Sequence, residues 1–139
     1  MKKILIDLES SQYDVYIGDV ISYLPSLVND KKVFVITDEN VKNYHLETLE
    51  KVIKYDNLFV LGKDTESCKN LQYYELCLKY ALDNYLDKNT LVIAFGGGSV
   101  TDFAGFFAST YKRGLDIILL PTTLLSHDSA IGGKTGLNY

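Results

Sequence analysis

Clustered positive charge is scarce in this chain. It carries 14 Lys and Arg residues against 18 Asp and Glu residues, which gives a net charge of −4 at pH 7. Basic residues adjoin one another only in pairs, such as Lys112-Arg113. A nucleic-acid-binding protein usually presents a basic face or stripe. The sequence therefore argues against nucleic acid as a partner, while it leaves room for a single bound anion such as a phosphate.

Long apolar runs are missing as well. The apolar residues that follow Lys3 are interrupted by Asp7 and Glu9, so the N-terminus has no secretory signal core. No run approaches the roughly 20 apolar residues that a membrane-spanning helix needs. We therefore expect a cytoplasmic protein that has no membrane partner.

Cysteine is equally rare, with Cys68 and Cys77 as the two residues of this type. We predict that both lie in one helix, over residues 68–86. Nine positions at about 100° each place the two side chains on roughly opposite faces of that helix, where they cannot form a disulfide. Two unpaired thiols are typical of a protein from a reducing cytoplasm.

The chain is long and apolar enough to form one folded domain. Of its 139 residues, 47% are apolar and 23% are charged, a composition that favours a buried core over disorder. A chain of this length accommodates a single core and not two. We therefore predict one domain over residues 1–139.

Short apolar runs alternate with amphipathic segments along the sequence. The run at 91–95 is apolar without alternation, as is typical of a strand covered on both faces of a parallel sheet. We predict strands at 4–9, 13–17, 33–36, 58–61, 91–95 and 117–120, and helices at 20–28, 39–55, 68–86 and after the glycines at 96–98, with a cap at Gly114. The pattern predicts an α/β fold, with a Rossmann-like, largely parallel sheet flanked by helices and an N-terminal β-hairpin.

Three glycines, Gly96, Gly97 and Gly98, stand between the strongest predicted strand and a helix. Glycines at such a turn let the backbone approach an anion, and the N–H groups and dipole of the helix then favour a phosphate or pyrophosphate. The motif matches two of the three glycines of a dinucleotide-binding fingerprint, because Thr101 stands at the third position. A tight turn that serves packing alone is the alternative.

A carboxylate that binds the ribose of such a dinucleotide is expected at the end of another strand. Asp116 has the usual separation of about 20 residues from Gly96, but it begins a predicted strand and does not end one. Asp38 follows the predicted strand at 33–36 and is the better candidate.

Two further polar segments follow the last predicted strand. The hydroxyl groups of Thr122 and Thr123 suit either a cofactor or the cap of the next turn. Lys134 stands between glycines six residues after Asp128, which suits contact with an anionic ligand or, equally, a solvated hairpin. This segment is not a Walker A motif, since Asp128 occupies the position of the motif's first glycine.

Histidine is represented by His45 and His127. His45 falls on a predicted helix in an exposed position, and His127 precedes Asp128, where a structural and a functional role are equally open. Because the chain has no motif of two histidines, we expect no complete metal site among its own residues.

Three segments together resemble the 3-dehydroquinate synthase family. They are GGGSVTDFAGFFASTYKRG at 96–114, PTTLL at 121–125 and DSAIGGKTGLN at 128–138, with an upstream match at Glu66-Ser67-Cys68-Lys69. The GGGS-x-x-D part is shared with iron-type alcohol dehydrogenases and glycerol dehydrogenases, whereas GGKTG after PTTLL singles out the synthases. The resemblance covers all 139 residues, which correspond to the N-terminal, NAD-binding part of the family's chain.

The resemblance implies a lyase of the shikimate pathway, which serves chorismate and aromatic amino acid biosynthesis. Members of the family convert 3-deoxy-arabino-heptulosonate 7-phosphate to 3-dehydroquinate and phosphate, and they regenerate NAD in each cycle. Their divalent metal, zinc or cobalt, is held by a C-terminal helical domain that is absent here. The resemblance therefore implies an enzyme fragment that has NAD as its cofactor, contributes no metal ligand and is inactive alone.

The resemblance also implies roles for individual residues. Asp128 and Lys134 are implied to act where the nicotinamide meets the substrate, and Arg113 at the phosphate site of a neighbouring subunit. The implied partners are a sugar-phosphate substrate and a second subunit in a homodimer. The implied cofactor-binding residues are Asp38, Glu66, Lys69, Gly97, Gly98, Ser99, Asp102, Thr122, Thr123 and Lys134.

Two alternatives stay open at the level of the sequence. The same scaffold serves other sugar-phosphate cyclases, such as inosose synthases, and NAD-dependent dehydrogenases of the glycerol or iron type. The other alternative is a non-catalytic nucleotide-binding module that is complete at Tyr139. A stop codon after Tyr139 would favour that module, whereas an open frame that encodes a glutamate and two distant histidines would exclude it.

Overall fold

The computed structural model describes residues 2–7, 12–17 and 20–122. Its strands are β1 (Lys2–Asp7), β2 (Gln12–Ile17), β3 (Val33–Asp38), β4 (Asn57–Leu61), β5 (Leu91–Gly96) and β6 (Asp116–Pro121). Its helices are α1 (Val20–Val28), α2 (Glu39–Glu50), α3 (Leu71–Asp83) and α4 (Gly98–Thr110), and short 3-10 turns occupy Thr65–Cys68 and Tyr111–Arg113. The predicted alternation of strands and helices is confirmed.

The parallel sheet has the strand order β4-β3-β5-β6. Strands β1 and β2 pair with each other as an antiparallel hairpin, with Lys2 opposite Ile17. The central strands β3 and β5 are buried along their whole length, as their apolar sequences predict. The predicted class, a largely parallel α/β sheet with an N-terminal hairpin, is confirmed.

Side chains of the central strands point alternately into two cores, one on each face of the sheet. On one face, Val33, Val35 and Ile93 pack with buried residues of α1 and α2. On the other face, Phe34 and Val92 pack with buried residues of α3 and α4. Each such side chain contributes about 1.5–3 kcal/mol relative to an exposed one. Packing on both faces therefore holds β3 and β5 in the centre of the sheet.

The predicted helix over residues 68–86 is wrong at its start. Cys68 lies in the 3-10 turn, and α3 begins at Leu71 because the side chain of Asn70 accepts a hydrogen bond from the backbone N of Tyr73 at 2.9 Å. Cys68 and Cys77 are both buried in the core between α3, α4 and the sheet, so the predicted opposite faces are also wrong. Both cysteines are free, as predicted.

The apolar residues of the predicted helix over 68–86 do not all face the core. Leu71, Leu82 and Tyr85 are exposed, whereas Cys77 and Ala81 are fully buried. The helix meets the sheet through these small side chains and through larger, partly buried ones such as Tyr80. No helix in the described ranges is long and apolar enough to cross a membrane.

Three helix ends lie earlier than predicted, and α3 ends at Asp83 instead of residue 86. Helix α2 ends at Glu50, where the backbone N of Lys51 donates to the carbonyl O of Glu47 at 3.2 Å. Helix α4 ends at Thr110, and Gly114 instead caps the 3-10 turn that follows it, with a φ of 107°. Glycine suits that position because other residues adopt a positive φ at a cost.

Candidate functional site

The order in which the chain adds strands to the parallel sheet reverses between β3 and β5. From β3 the chain passes through α2 to β4, and from β4 it passes through α3 to β5 on the other side of β3. Helices α2 and α4, which follow the two central strands, pack on opposite faces of the sheet. In open α/β sheets, ligands bind in the crevice that such a divergence creates at the carboxyl ends of the strands. This crevice is the candidate site.

The glycines between β5 and α4 differ in their surroundings. A Cβ on Gly96 would lie 2.8 Å from Cγ2 of Val100, so the protein's own packing requires this glycine. Apart from its chain neighbours and the backbone of its own helix, a Cβ on Gly98 would meet no atom of the described residues within 4 Å. Gly97 occupies the N-cap of α4, and no side chain caps this helix end. Among the described residues, the space beside Gly98 at the start of α4 is therefore open, which suits the pyrophosphate of a dinucleotide.

The carboxyl end of β3 supplies Thr37 and Asp38 to the same crevice. Asp38 is buried, and its Oδ1 accepts a hydrogen bond from the backbone N of Val41 at 2.8 Å. The residue predicted to bind a ribose is thus also the N-cap of α2. Oγ1 of Thr37 donates to the carbonyl O of Phe95 at 2.6 Å and ties β3 to β5 where they diverge. Sequence reasoning missed Thr37, although a polar residue that ends an apolar strand was the available signal.

The end of β6 lies next to the glycine turn. The backbone N of Thr122 donates to the carbonyl O of Gly96 at 3.2 Å, which brings Thr122 to the crevice. Three other predicted site residues, Thr123, Asp128 and Lys134, lie outside the described residues.

Four predicted cofactor-binding side chains form a polar cluster at the start of α4. Oγ of Ser99 donates to Oε2 of Glu66 at 2.5 Å. Nζ of Lys69 donates to Oδ2 of Asp102 at 3.1 Å and lies 3.6 Å from Oε1 of Glu66. The two hydrogen bonds each join residues that are 33 positions apart in the sequence. The fold therefore brings the 3-10 turn at 65–68 together with the glycine turn.

Contacts within the polar cluster lower the pKa of Glu66 and raise the pKa of Lys69. The hydrogen bond from Ser99, and after it the charge of Lys69, hold the pKa of Glu66 below its ordinary value. The hydrogen bond to Asp102 raises the pKa of Lys69, against the opposing effect of partial burial. The cluster therefore presents carboxylate acceptors and an ammonium donor at neutral pH. Such a set suits the hydroxyl groups of a ribose better than another phosphate, because two acids face one base.

Arg113 lies at the opposite edge of the sheet from the crevice. It follows α4, and β6 begins beside the start of β5, where Asp116 pairs with Leu91. The 13 residues of α4, at 1.5 Å each, place Arg113 about 20 Å from the glycine turn. Among the described residues, the structure therefore does not bring Arg113 together with the predicted cofactor-binding residues of its own subunit.

The candidate site contains no cluster that would hold a metal ion by itself. Among the described residues, no three of the types His, Cys, Asp and Glu group together as metal ligands. The described part of the site thus fits the phosphates and a ribose of a dinucleotide through its glycines and its polar cluster.

Comparison with protein families gives a match over more than half of the chain. Residues 59–139 match the model described as 3-dehydroquinate synthase N-terminal. The chain is 40% identical over 147 residues to 3-dehydroquinate synthase of Bacillus cytotoxicus and 42% identical over 135 residues to that of Campylobacter jejuni. These alignments cover 100% and 96% of this chain but 40% and 37% of the two relatives. The chain thus spans about two fifths of the length of the relatives it matches.

Solved structures with the same fold include two enzymes that were crystallised with NAD+. One is a 2-deoxy-scyllo-inosose synthase complexed with carbaglucose-6-phosphate, NAD+ and Co2+, with a TM-score of 0.73 and 20% identity over 94% of this chain and 37% of that one. The other is a 2-epi-5-epi-valiolone synthase from Streptomyces hygroscopicus with NAD+ and Zn2+, with a TM-score of 0.66 and 25% identity over 86% of this chain and 35% of that one. The predicted Rossmann-like fold is therefore confirmed.

Proposed function

This chain belongs to the 3-dehydroquinate synthase family, and from that membership we propose that it is the NAD-binding part of a 3-dehydroquinate synthase. The proposed reaction converts 3-deoxy-arabino-heptulosonate 7-phosphate to 3-dehydroquinate and phosphate in the cytoplasmic shikimate pathway. The relatives are about two and a half times as long as this chain. We therefore propose that residues 1–139 bind cofactor and require a further part of the enzyme for turnover.

The observation that carries the proposal is the space that the described residues leave open beside Gly98. Packing explains Gly96 completely, since a Cβ there would collide with Val100. It does not explain Gly98, beside which a Cβ would meet nothing within 4 Å. A glycine with free space at an uncapped helix N-terminus suits a ligand that approaches the backbone closely and carries negative charge.

The proposed cofactor, NAD, supplies reversible hydride transfer when it is bound. Gly97 and Gly98 are proposed to bind its pyrophosphate through the N–H groups at the start of α4. Asp38 is proposed to bind the adenine ribose from the end of β3. Because Asp38 is also the N-cap of α2, its carboxylate is held at the carboxyl end of β3.

The polar cluster is proposed to bind the adenosine end of NAD. Glu66 and Asp102 offer acceptors for ribose hydroxyl groups, and Lys69 and Ser99 offer donors. Because these side chains are already held against one another, they are preorganised and lose little conformational freedom when the cofactor binds.

Residues after β6 are proposed to complete the site. Thr122, beside Gly96, and Thr123 are proposed to contact the cofactor. Asp128 and Lys134 are proposed to lie where nicotinamide and substrate meet, and the ammonium group of Lys134 suits an anionic sugar phosphate. The proposed divalent metal, zinc or cobalt, takes its ligands from outside this chain. Two structural neighbours that contain Co2+ or Zn2+ together with NAD+ support the proposal of a divalent metal beside the cofactor.

Arg113 is proposed to act on the substrate phosphate of a second subunit. Its separation of about 20 Å from the glycine turn of its own subunit supports this assignment. The proposed enzyme is therefore a homodimer in which each site takes an arginine from the partner.

A different sugar-phosphate cyclase is the second candidate function. Its support is the structural likeness to 2-deoxy-scyllo-inosose synthase and to 2-epi-5-epi-valiolone synthase. The two candidates share the cofactor and differ in the sugar phosphate that they consume. A glycerol-type or iron-type dehydrogenase differs from both, because it accumulates reduced NAD.

The decisive experiment measures which sugar phosphate the full-length protein consumes. We expect release of phosphate from 3-deoxy-arabino-heptulosonate 7-phosphate, formation of 3-dehydroquinate and no accumulation of absorbance from reduced NAD. Consumption of a different sugar phosphate would favour the second candidate, and accumulation of reduced NAD would overturn the cyclase assignment. Purified residues 1–139 are expected to release no phosphate, and measurable release by them would contradict the proposed division of the enzyme.

A paired substitution tests the proposed role of Lys134. Lys134→Ala in the full-length protein is expected to remove most turnover while the protein stays folded. Lys42→Ala, which changes an exposed lysine of α2, is the matched control and is expected to leave turnover unchanged. Near-normal turnover of Lys134→Ala would exclude the proposed contact between Lys134 and substrate.

A further inference from the structure

Three consecutive residues after α4 have a left-handed backbone. Lys112 has a φ of 45°, Arg113 a φ of 70° and Gly114 a φ of 107°. Glycine tolerates such values, but Lys112 and Arg113 carry a Cβ that crowds the following carbonyl oxygen. Two adjacent residues of this kind persist only when the surrounding structure over-determines them.

Tyr111 is the residue that holds this turn in place. Its side chain is 2% exposed, and its hydroxyl donates to the carbonyl O of Leu86 at 2.7 Å in a buried position. Its ring lies 5.2 Å from that of Phe107, between centroids. On the backbone, the N of Gly114 donates to the carbonyl O of Tyr111 at 2.8 Å. The start of the turn is therefore anchored in the core through both a side chain and the main chain.

The other end of the turn is anchored in the same way. Leu115 is 2% exposed, and its backbone N donates to the carbonyl O of Ala108 at 2.7 Å. Between the two anchors, Lys112 and Arg113 are exposed. The strained segment is thus a short basic tip held from both sides by buried residues.

No ion pair of Arg113 within the described residues compensates the strain at this tip. Nζ of Lys112 lies 5.7 Å from the ring centroid of Tyr111. For Arg113, no carboxylate of the described residues lies within ion-pair distance. The structure therefore maintains a costly backbone conformation that presents a guanidinium group outward, unpaired by the acids described in its own subunit.

We propose that Tyr111, through its hydrogen bond to the Leu86 carbonyl, is a positioning residue that directs Arg113 toward the phosphate group of a sugar phosphate bound to a second copy of the chain. The inference rests on the proposed function, because it takes from it the role of Arg113. A guanidinium group recognises a phosphate through a planar pair of N–H donors, so its direction matters as much as its charge. Loosening the turn therefore weakens substrate binding without removing any group that touches the substrate.

The test is the substitution Tyr111→Phe in the full-length enzyme. It removes one oxygen atom and keeps the ring, so the core stays filled. We expect KM for the sugar phosphate to rise about tenfold while KM for NAD stays unchanged. Tyr80→Phe is the matched control, since its hydroxyl accepts a hydrogen bond at 3.1 Å from the backbone N of Leu58 in β4, which lies at the opposite edge of the sheet from β6. Tyr80→Phe is expected to leave both KM values within about twofold of the wild type.

A double variant separates positioning from a general effect on folding. Arg113→Ala alone is expected to lower kcat/KM about 100-fold. Once the guanidinium group is gone, Tyr111→Phe has nothing left to misdirect, so the double variant is expected to match Arg113→Ala within about twofold. If the two losses multiply instead, or if Tyr111→Phe alone leaves KM unchanged, the inference about Tyr111 is overturned. Full activity of Arg113→Ala would instead remove the role of Arg113 from the proposed function, and the inference would fall with it.

Gly114→Ala offers a second route if Tyr111→Phe fails to fold. A Cβ there meets only backbone oxygens at 3.8 Å and 3.9 Å, so the substitution strains the positive φ without a clash. It is expected to raise KM for the sugar phosphate. In a variant that already carries Arg113→Ala, it is expected to have no further effect on KM. An unchanged KM in a folded Gly114→Ala variant would contradict the dependence of Arg113 on the turn.

Discussion

Ser99 donates a hydrogen bond from its Oγ to Oε2 of Glu66 over 2.5 Å, and this contact closes the loop after β4 onto the first turn of α4. A second contact, from Nζ of Lys69 to Oδ2 of Asp102 at 3.1 Å, joins the same two segments. The pair of contacts orders four side chains beside a helix N-terminus that no side chain caps. The first prediction concerns the charge of Glu66 in this cluster.

Glu66→Gln is expected to lower the melting temperature at neutral pH and to have less effect in acid. The pKa of Glu66 is lowered in the folded protein by the hydrogen bond from Ser99 and by the charge of Lys69. A depressed acid stabilises the fold above its unfolded pKa, and this contribution is lost as the pH falls through the folded pKa. The difference between wild type and variant should therefore shrink from pH 7 toward about pH 3. Thermal unfolding across that range checks it, with Glu75→Gln on the exposed side of α3 as control.

Gly96→Ala is expected to lower the stability of the protein, whereas Gly98→Ala is expected to lower its affinity for NAD. A Cβ at position 96 would lie 2.9 Å from Cβ of Val100, and we expect a destabilisation of about 1–3 kcal/mol. At position 98 a Cβ meets nothing within 4 Å, so stability should stay level or rise slightly. NAD affinity of Gly98→Ala should instead fall about tenfold or more, because the Cβ enters the space proposed for pyrophosphate. Thermal unfolding and calorimetric titration with NAD measure the two effects, and unchanged NAD affinity in Gly98→Ala would speak against the proposed site.

Thr37→Val is expected to destabilise the protein by about 1–2 kcal/mol. Valine has nearly the shape of threonine but cannot donate the buried hydrogen bond to the carbonyl O of Phe95. That bond joins β3 to β5 at the crevice, so NAD affinity should fall as well. Denaturant unfolding and NAD titration check both effects. A variant with wild-type stability would show that Thr37 does not hold the two strand ends together.

Mixing two inactive variants is expected to restore activity if Arg113 acts across subunits. Arg113→Ala and Lys134→Ala each leave every site of a homodimer incomplete. Random exchange of subunits makes half of the dimers mixed, and each mixed dimer has one complete site, so activity should recover to about a quarter of the wild-type value. Absence of recovery, in a mixture shown to contain mixed dimers, would exclude an arginine that is shared between subunits.

The central strands and the glycine turn are predictable from the sequence because their signals are local and mutually consistent. An apolar run at 91–95 without polar interruption has few stable places other than the middle of a parallel sheet. Glycines directly after it predict a tight turn into a helix, and β5 and α4 lie where this pattern puts them. The crevice follows from these two features and from the end of β3 at Asp38.

Other features depend on contacts between distant segments, which periodicity does not reveal. The hydrogen bond between Ser99 and Glu66 joins residues 33 positions apart, and the spacing of apolar residues does not predict it. The predicted start of α3 at residue 68 is wrong because Asn70 caps the helix. The apolar spacing alone extends the helix back to Cys68. The left-handed conformation of Lys112 and Arg113 is set by the burial of Tyr111 and Leu115, and their own residue types disfavour it.

Close contact between positions 96 and 100 imposes a rule on the evolution of this turn. Any substitution that adds a Cβ at Gly96 collides with the branched side chain of Val100, so the two sites cannot drift independently. Lineages that lose this glycine must first, or at once, acquire a smaller residue one helical turn later. The two positions should therefore change together among descendants of this gene, whereas position 98, where a Cβ meets no described side chain, is free of that coupling.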